Sequence, residues 1–176
     1  MSPFEAAWAA RHALTGRATE PAAWARPPVL AVHERVAVRS DRPTQFLDVT
    51  DLVNDVILRQ RVEAGQVTVQ ALHTTAGIVV NEHEPLLLAD FRRTLARVAP
   101  RRAQYAHDDF TRRRGIVPGE RVNAHAHCQA LFVPTSTTLA VAGGALVLGR
   151  WQRVFFVELD GPQARAMHVS LVGVGA

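Results

Sequence analysis

The sequence predicts an α+β fold: a single compact domain of mainly antiparallel β-sheet with two or three packed helices. Three observations carry this prediction. Short runs with apolar residues at alternate positions recur along the chain, as in Val67-Val69-Ala71 and in Leu30, Val32, Val36 and Val38. Within 29–176 three stretches have helical character: 51–63, 85–98 and 122–132. Glycine, proline and aspartate punctuate the rest at Asp41-Arg42-Pro43, Gly143-Gly144, Gly149 and Asp160-Gly161-Pro162. Strands and helices do not alternate as βαβ units would, which argues against a parallel sheet.

The elements follow in order. Ser2 and Pro3 open a short helix over 2–14 that Gly16 ends, and the prolines at 21, 27 and 28 make 1–28 an N-terminal helical extension and linker to a domain over 29–176. Val29–Val38 alternates as a strand, and Gln45–Val49 across the Asp41–Pro43 turn reads as its hairpin partner. Thr50 is placed as N-cap of a helix from Asp51 to about Glu63, with Leu52, Val53, Val56 and Ile57 as its apolar stripe and Gly65 as its stop. Strands follow at 66–72 and 77–80. Pro85 opens the clearest amphipathic helix, with Leu88, Phe91, Leu95 and Val98 on one side, and Pro100 closes it. Residues 100–121 are arginine-rich and aperiodic, a long loop of the kind that is often functional. Val122–Phe132 is alanine-rich and lacks β-branched residues after Val122, which favours helix. Strands over 139–141, 145–148, 151–158 and 165–172 complete the domain.

Composition bounds the function. The 176 residues fit one domain, and 48% hydrophobic content is ordinary for a globular chain. No apolar run reaches the ~20 residues that span a bilayer, so no membrane partner is expected. A lone cysteine, Cys128, allows no intrachain disulfide and suits a reducing, cytoplasmic setting. The pI of about 10.8 accompanies a net charge of only +4, because all 20 basic side chains are arginine and no lysine titrates near pH 10. That pI therefore carries little weight for nucleic-acid binding. The arginine clusters at 92–102 and 112–114 also lack interleaved aromatics, and no nucleic-acid partner is expected.

Five of the eight histidines lie in polar clusters: His73, His83, His107 and the pair His125/His127. His73 ends a strand before two threonines, where a rigid element delivers a side chain to the rim. His107 precedes two aspartates able to orient its ring. On a strand His125 and His127 would point the same way. On the favoured helix they diverge, and His127 shares a face with Asn123. Three histidines from separate segments suit a divalent metal, zinc or magnesium, with an open position. The plainer reading makes them hydrogen-bonded packing residues at a subunit interface. Glu82 and Glu158 are candidate acid/base groups. Cys128, on an apolar helix without an activating base, reads as an inert buried thiol.

An ordered set of motifs gives the sharpest lead: His73-Thr74-Thr75-Ala76 through Asn81-Glu82, then Tyr105-x-His107-Asp108, Asn123-Ala124-x-Ala126-His127, and Leu148-Gly149-x-Trp151-Gln152 through Glu158-Leu159-Asp160-Gly161-Pro162. Over residues 29–174 the chain resembles the YjbQ-like family, also called secondary thiamine-phosphate synthases. The resemblance implies a compact α+β domain, a homotrimer, and a site of His73, His107 and His127. Glu82, Asp108 and Asn123 fall beside them in acid/base or supporting roles. It also implies a small phosphorylated metabolite as partner, with Arg165 on a phosphate. The reaction implied joins a pyrimidine pyrophosphate to a thiazole phosphate and releases pyrophosphate. Two alternatives stand beside it: metal-dependent hydrolysis, and a non-catalytic trimer that binds a small anionic metabolite. The chain departs from the family pattern at Pro134, Arg150 and Gln163, and the last removes a cation after Gly-Pro.

Overall fold

The structure is a computed structural model that describes residues 28–175; the expected helix over 2–14 lies outside them. Its elements are β1 (Val29–Arg39), β2 (Gln45–Asp48), α1 (Thr50–Arg59), β3 (Val62–Ala71), β4 (Ala76–Glu82), α2 (Pro85–Val98), a 3-10 turn at Ala106–Asp108, α3 (Ala124–Ala130), β5 (Ser136–Ala142), β6 (Ala145–Leu146), β7 (Gln152–Glu158) and β8 (Ala164–Gly175). All strand pairs are antiparallel. They form a five-stranded sheet ordered β1-β8-β3-β5-β6 and a three-stranded sheet ordered β2-β7-β4. The predicted fold class therefore holds.

Two apolar layers hold these sheets. The larger joins the inner face of the five-stranded sheet (Val67, Val69, Leu171), the α1 stripe (Val53, Val56, Ile57) and one face of the small sheet (Ile78, Val154, Phe156). The smaller lies on the other face of the small sheet, where Phe155 and Val157 meet Leu88 and Leu95 of α2 and Ala126 of α3. β7 is thus buried on both faces, which explains its unbroken run Val154-Phe155-Phe156-Val157.

Three expectations need correction. Residues 29–49 are not a hairpin: β1 pairs with β8 and β2 with β7, so Asp41–Pro43 carries the chain between sheets. The alternation that marks a strand says nothing about its partner. Second, α1 ends at Arg59, and Gly65 lies inside β3 rather than stopping a helix. A Cβ at Gly65 would sit 2.3 Å from the Val172 carbonyl oxygen, and one at Gly173, its cross-strand partner, 2.3 Å from that of Ala64. The two glycines let β3 and β8 close together. Gly65→Ala is expected to cost about 1–3 kcal/mol through forced backbone displacement, read as a lower denaturation midpoint at unchanged slope. Third, Thr50 is the first residue of α1 rather than its cap. Val49 takes the cap position with no side-chain bond; Asp48 Oδ1 accepts Thr50 N–H (3.0 Å) and Thr50 O–H (2.7 Å), and Thr50 Oγ1 accepts Val154 N–H at 2.8 Å.

Glu84 caps α2 by accepting Leu86 and Leu87 N–H ahead of Pro85. The irregular stretch 100–121 is tied down by Tyr105 O–H to the Pro100 carbonyl at 2.9 Å and by Arg113 on Glu120. Residues 122–132 are helical only over Ala124–Ala130, followed by a turn at 131–133. Among the described residues no helix is long and apolar enough to cross a membrane.

Candidate functional site

The C-terminal ends of β3 and β7 and the start of α3 converge beside the 3-10 turn. The deepest part is a buried ion pair. Glu158, fully buried, accepts from Arg165 Nε at 2.8 Å and Nη2 at 3.3 Å. Its Oε1 also accepts Asp160 N–H at 2.7 Å. Arg165 Nη2 reaches Thr75 Oγ1 at 3.3 Å. Thr75 is wholly buried and meets His73 Nδ1 with its hydroxyl at 2.9 Å and its backbone N–H at 3.2 Å.

This chain of bonds assigns the His73 tautomer. Thr75 N–H can only donate, so Nδ1 is an acceptor. Thr75 Oγ1 accepts from Arg165 and donates its own O–H to the same nitrogen. Neutral His73 then carries its hydrogen on Nε2 and offers an N–H outward. Burial pushes the His73 pKa below the ordinary imidazole value, and Arg165 adds to that shift against the opposing charges of Glu158 and Asp160.

His107 and His127 form the second part. Their rings meet edge to face with centroids 5.0 Å apart. His127 is also lowered, first by burial and then by His107, since two imidazoles this close resist double protonation. The helix prediction for α3 settles the question left by its paired histidines: His127 faces His107, whereas His125 turns inward and is buried. Asp108 caps α3, its Oδ1 accepting Asn123 N–H (3.1 Å) and Ala124 N–H (3.0 Å). Asn123 points its amide at Asp160 Oδ2, 2.8 Å away, and Arg121 pairs with the other Asp160 oxygen at 3.2 Å. Asp160 thus ties the α3 entrance to the Glu158–Arg165 pair. A cleft of about 500 Å³ opens beside these groups, lined by Arg101, Gln104, Tyr105, Asp108, Asp109 and Arg112.

Of the sequence candidates, His73, Asp108, Asn123, His127, His107 and Arg165 fall at this end of the domain. Glu82 does not: it closes the far end of β4, a strand of seven residues that puts it roughly 20 Å from Ala76. Arg165 is only 9% exposed at its side chain and engaged by Glu158, so its clearest work is holding Thr75 and through it His73. Gln163 uses its backbone to bind Ser40 and supplies no cation. Thr75 and Asp160 are functional residues that residue type alone does not single out. Their signal was proximity in sequence, Thr75 two residues after His73 and Asp160 two after Glu158.

The metal expectation meets a partial fit. Neutral imidazoles at His107 and His127 are competent donors. His73 presents an N–H rather than a lone pair, and among the described residues no group of three His, Cys, Asp or Glu side chains is arranged to hold a metal ion. His73 as assigned suits an anion instead.

These features define a class: a two-sheet α+β protein with clustered histidines at one end beside an arginine-lined cleft. The family model described as "UPF0047 protein YjbQ-like" matches residues 34–174, and the chain belongs to that family. It is 32% identical over 140 residues to a UPF0047 protein of Methanothermobacter thermautotrophicus, covering 80% of this chain and 91% of that one. It is 28% identical over 137 residues to UPF0047 protein YugU of Bacillus subtilis, covering 77% and 96%. A crystal structure of a YbjQ-like protein from Sulfolobus solfataricus superposes with a TM-score of 0.74 at 29% identity, over 83% of this chain and 99% of that one. A hypothetical protein from Aeropyrum pernix gives 0.71 at 32% identity, over 81% and 98%.

Proposed function

We propose that the protein is a thiamine-phosphate synthase-like transferase that joins a pyrimidine pyrophosphate to a thiazole phosphate. The thiazole nitrogen attacks the methylene carbon of the pyrimidine, the N–C bond forms, the C–O bond breaks, and pyrophosphate leaves with the bonding electrons. No proton need move in that step, so the demand on the protein is to hold two anions together and stabilise the departing charge. The observation that carries the reading is the His73–Thr75–Arg165–Glu158 chain, which fixes an outward N–H donor at the end of a rigid strand. His73 Nε2–H donates to a phosphoryl oxygen, with His127 and its ring partner His107 nearby, and Arg101 and Arg112 supply positive potential from the neighbouring cleft.

A divalent ion, zinc or magnesium, would be held by His107 and His127 and would add charge neutralisation at the pyrophosphate. A homotrimer is part of the proposal, and sedimentation equilibrium tests it. The test of function is product formation from the two phosphorylated substrates. Turnover of a phosphate ester without thiazole would favour metal-dependent hydrolysis. Thermal stabilisation by the substrates without turnover would favour a non-catalytic anion-binding protein.

The lowered pKa values of His73 and His127 give a signed pH prediction. A buried neutral histidine takes up its proton at lower pH than the same residue unfolded. Both rings stay neutral in the folded protein as pH falls through 6.5, and activity is expected to persist there. Stability moves the other way: below about pH 6.5 the unfolded chain binds more protons, so the melting temperature falls until the folded-state values are passed. A pH–rate profile beside a pH series of melting curves checks both.

A further inference from the structure

At the opposite end of β4, Asp48 and His83 make a second arrangement that the proposed reaction does not use. His83 Nδ1 lies 2.9 Å from Asp48 Oδ2, which Arg153 Nε also contacts at 2.7 Å. Thr50 fills the other oxygen through its N–H and O–H. Burial alone would raise this carboxyl, but the hydrogen bonds from Arg153, Thr50 and His83 outweigh it and hold Asp48 at about 2. Asp48 is therefore a permanent acceptor. In its neutral form His83 must carry its hydrogen on Nδ1, which leaves Nε2 as a bare lone pair. The ring is braced edge-on against Phe155 with centroids 5.3 Å apart, yet the side chain stays 49% exposed. Nε2 has no protein partner among the described residues.

The space beside it is a cleft of about 310 Å³ lined by Glu82, His83, Glu84, Arg150, Trp151 and Arg153. Its groups differ in availability. Glu84 is committed to capping α2, and Arg153 to Asp48 and Asp51. Arg150 makes no ion pair among the described residues and lies 4.7 Å from the Trp151 ring centroid. Trp151 is 61% exposed. The cleft thus offers a fixed acceptor, an aromatic surface and an available cation, in a volume at the lower limit of small-molecule sites.

We propose that this cleft is a second ligand site, taking a small planar anion that carries an O–H or N–H donor. The donor bonds His83 Nε2, the ring packs on Trp151, and the anionic group meets Arg150. The site shares no side chain with the histidine cluster around His127, so it stands whether or not the transferase reading holds.

The probe is 4-hydroxybenzoate, with benzoate as the analogue lacking the donor. Binding is followed through the Trp151 indole N–H resonance of the full chain, assigned with Trp151→Phe. The expected result is a saturable shift with 4-hydroxybenzoate and three- to tenfold weaker binding of benzoate, roughly the contribution of one hydrogen bond. His83→Ala, at a half-exposed position, abolishes the difference between the two probes, and Arg150→Ala weakens both. No saturable shift at millimolar probe, equal affinity of the two probes for the unaltered protein, or a difference that survives His83→Ala would overturn the proposal.

Discussion

Glu158→Ala is expected to lower the melting temperature more than any other single substitution at the site. Glu158 is completely buried, and Arg165 nearly so. Removing the carboxylate leaves the guanidinium without its counter-charge, and the Asp160 N–H and the Thr75 hydroxyl lose their fixed neighbours. Breaking a buried ion pair from one side costs about 3–5 kcal/mol, or roughly 6–20 °C in a domain of this size. Glu158→Gln tests the cause, because it keeps the volume while removing the charge. If charge dominates, it recovers little. If both variants melt within a degree or two of the unaltered protein, the pair does not organise this end of the domain.

His127→Ala is the second large effect, expected to lower the rate of thiamine-phosphate formation by about 10²-fold, the range lost when a group that positions the reactants is removed. His127 is half-buried on α3, and α3 is capped independently by Asp108, so the helix is expected to survive the change. A melting curve beside the kinetics separates lost chemistry from lost fold. His73→Ala should act differently. It removes a donor to a phosphoryl oxygen, so substrate affinity falls together with rate, and His73→Asn, which keeps an N–H, recovers part of the loss. Unchanged turnover in His127→Ala would remove the histidine cluster from the reaction.

Much of the fold was legible because its local signals are unopposed. Leu88, Phe91 and Leu95 repeat at helical spacing and α2 forms where expected. Val67, Val69 and Ala71 alternate and β3 buries them. The failures are non-local. Nothing in residues 29–49 says that β1 will pair with β8, more than a hundred residues later, and not with β2. Gly65 resembles a helix stop because glycine serves both uses, and only the 2.3 Å approach to Val172 tells which one applies.

The site divides in the same way. His73, His107 and His127 could be picked out by motif, but the lowered pKa values of His73 and His127 follow from burial that no spacing reveals. Arg165 was expected on a phosphate because the family resemblance implies an arginine in that role after Gly161-Pro162. Its capture by Glu158 depends on β8 entering beside the end of β7. Glu82 was grouped with His73 by their nearness in sequence, but an extended strand separates its two ends by the full rise of its residues. The tautomer at His73, on which the anion reading depends, rests on one backbone N–H that only the folded turn brings to Nδ1.

The most direct measurement of the central claim is a paired count of products. The purified protein is incubated with the pyrimidine pyrophosphate and the thiazole phosphate, and coupled product and pyrophosphate are quantified together, with His127→Ala in parallel. Equimolar formation of both, absent without thiazole phosphate and reduced about 10²-fold in the variant, is the predicted result. Pyrophosphate release that proceeds without thiazole phosphate, or no coupled product at any substrate concentration, would contradict it.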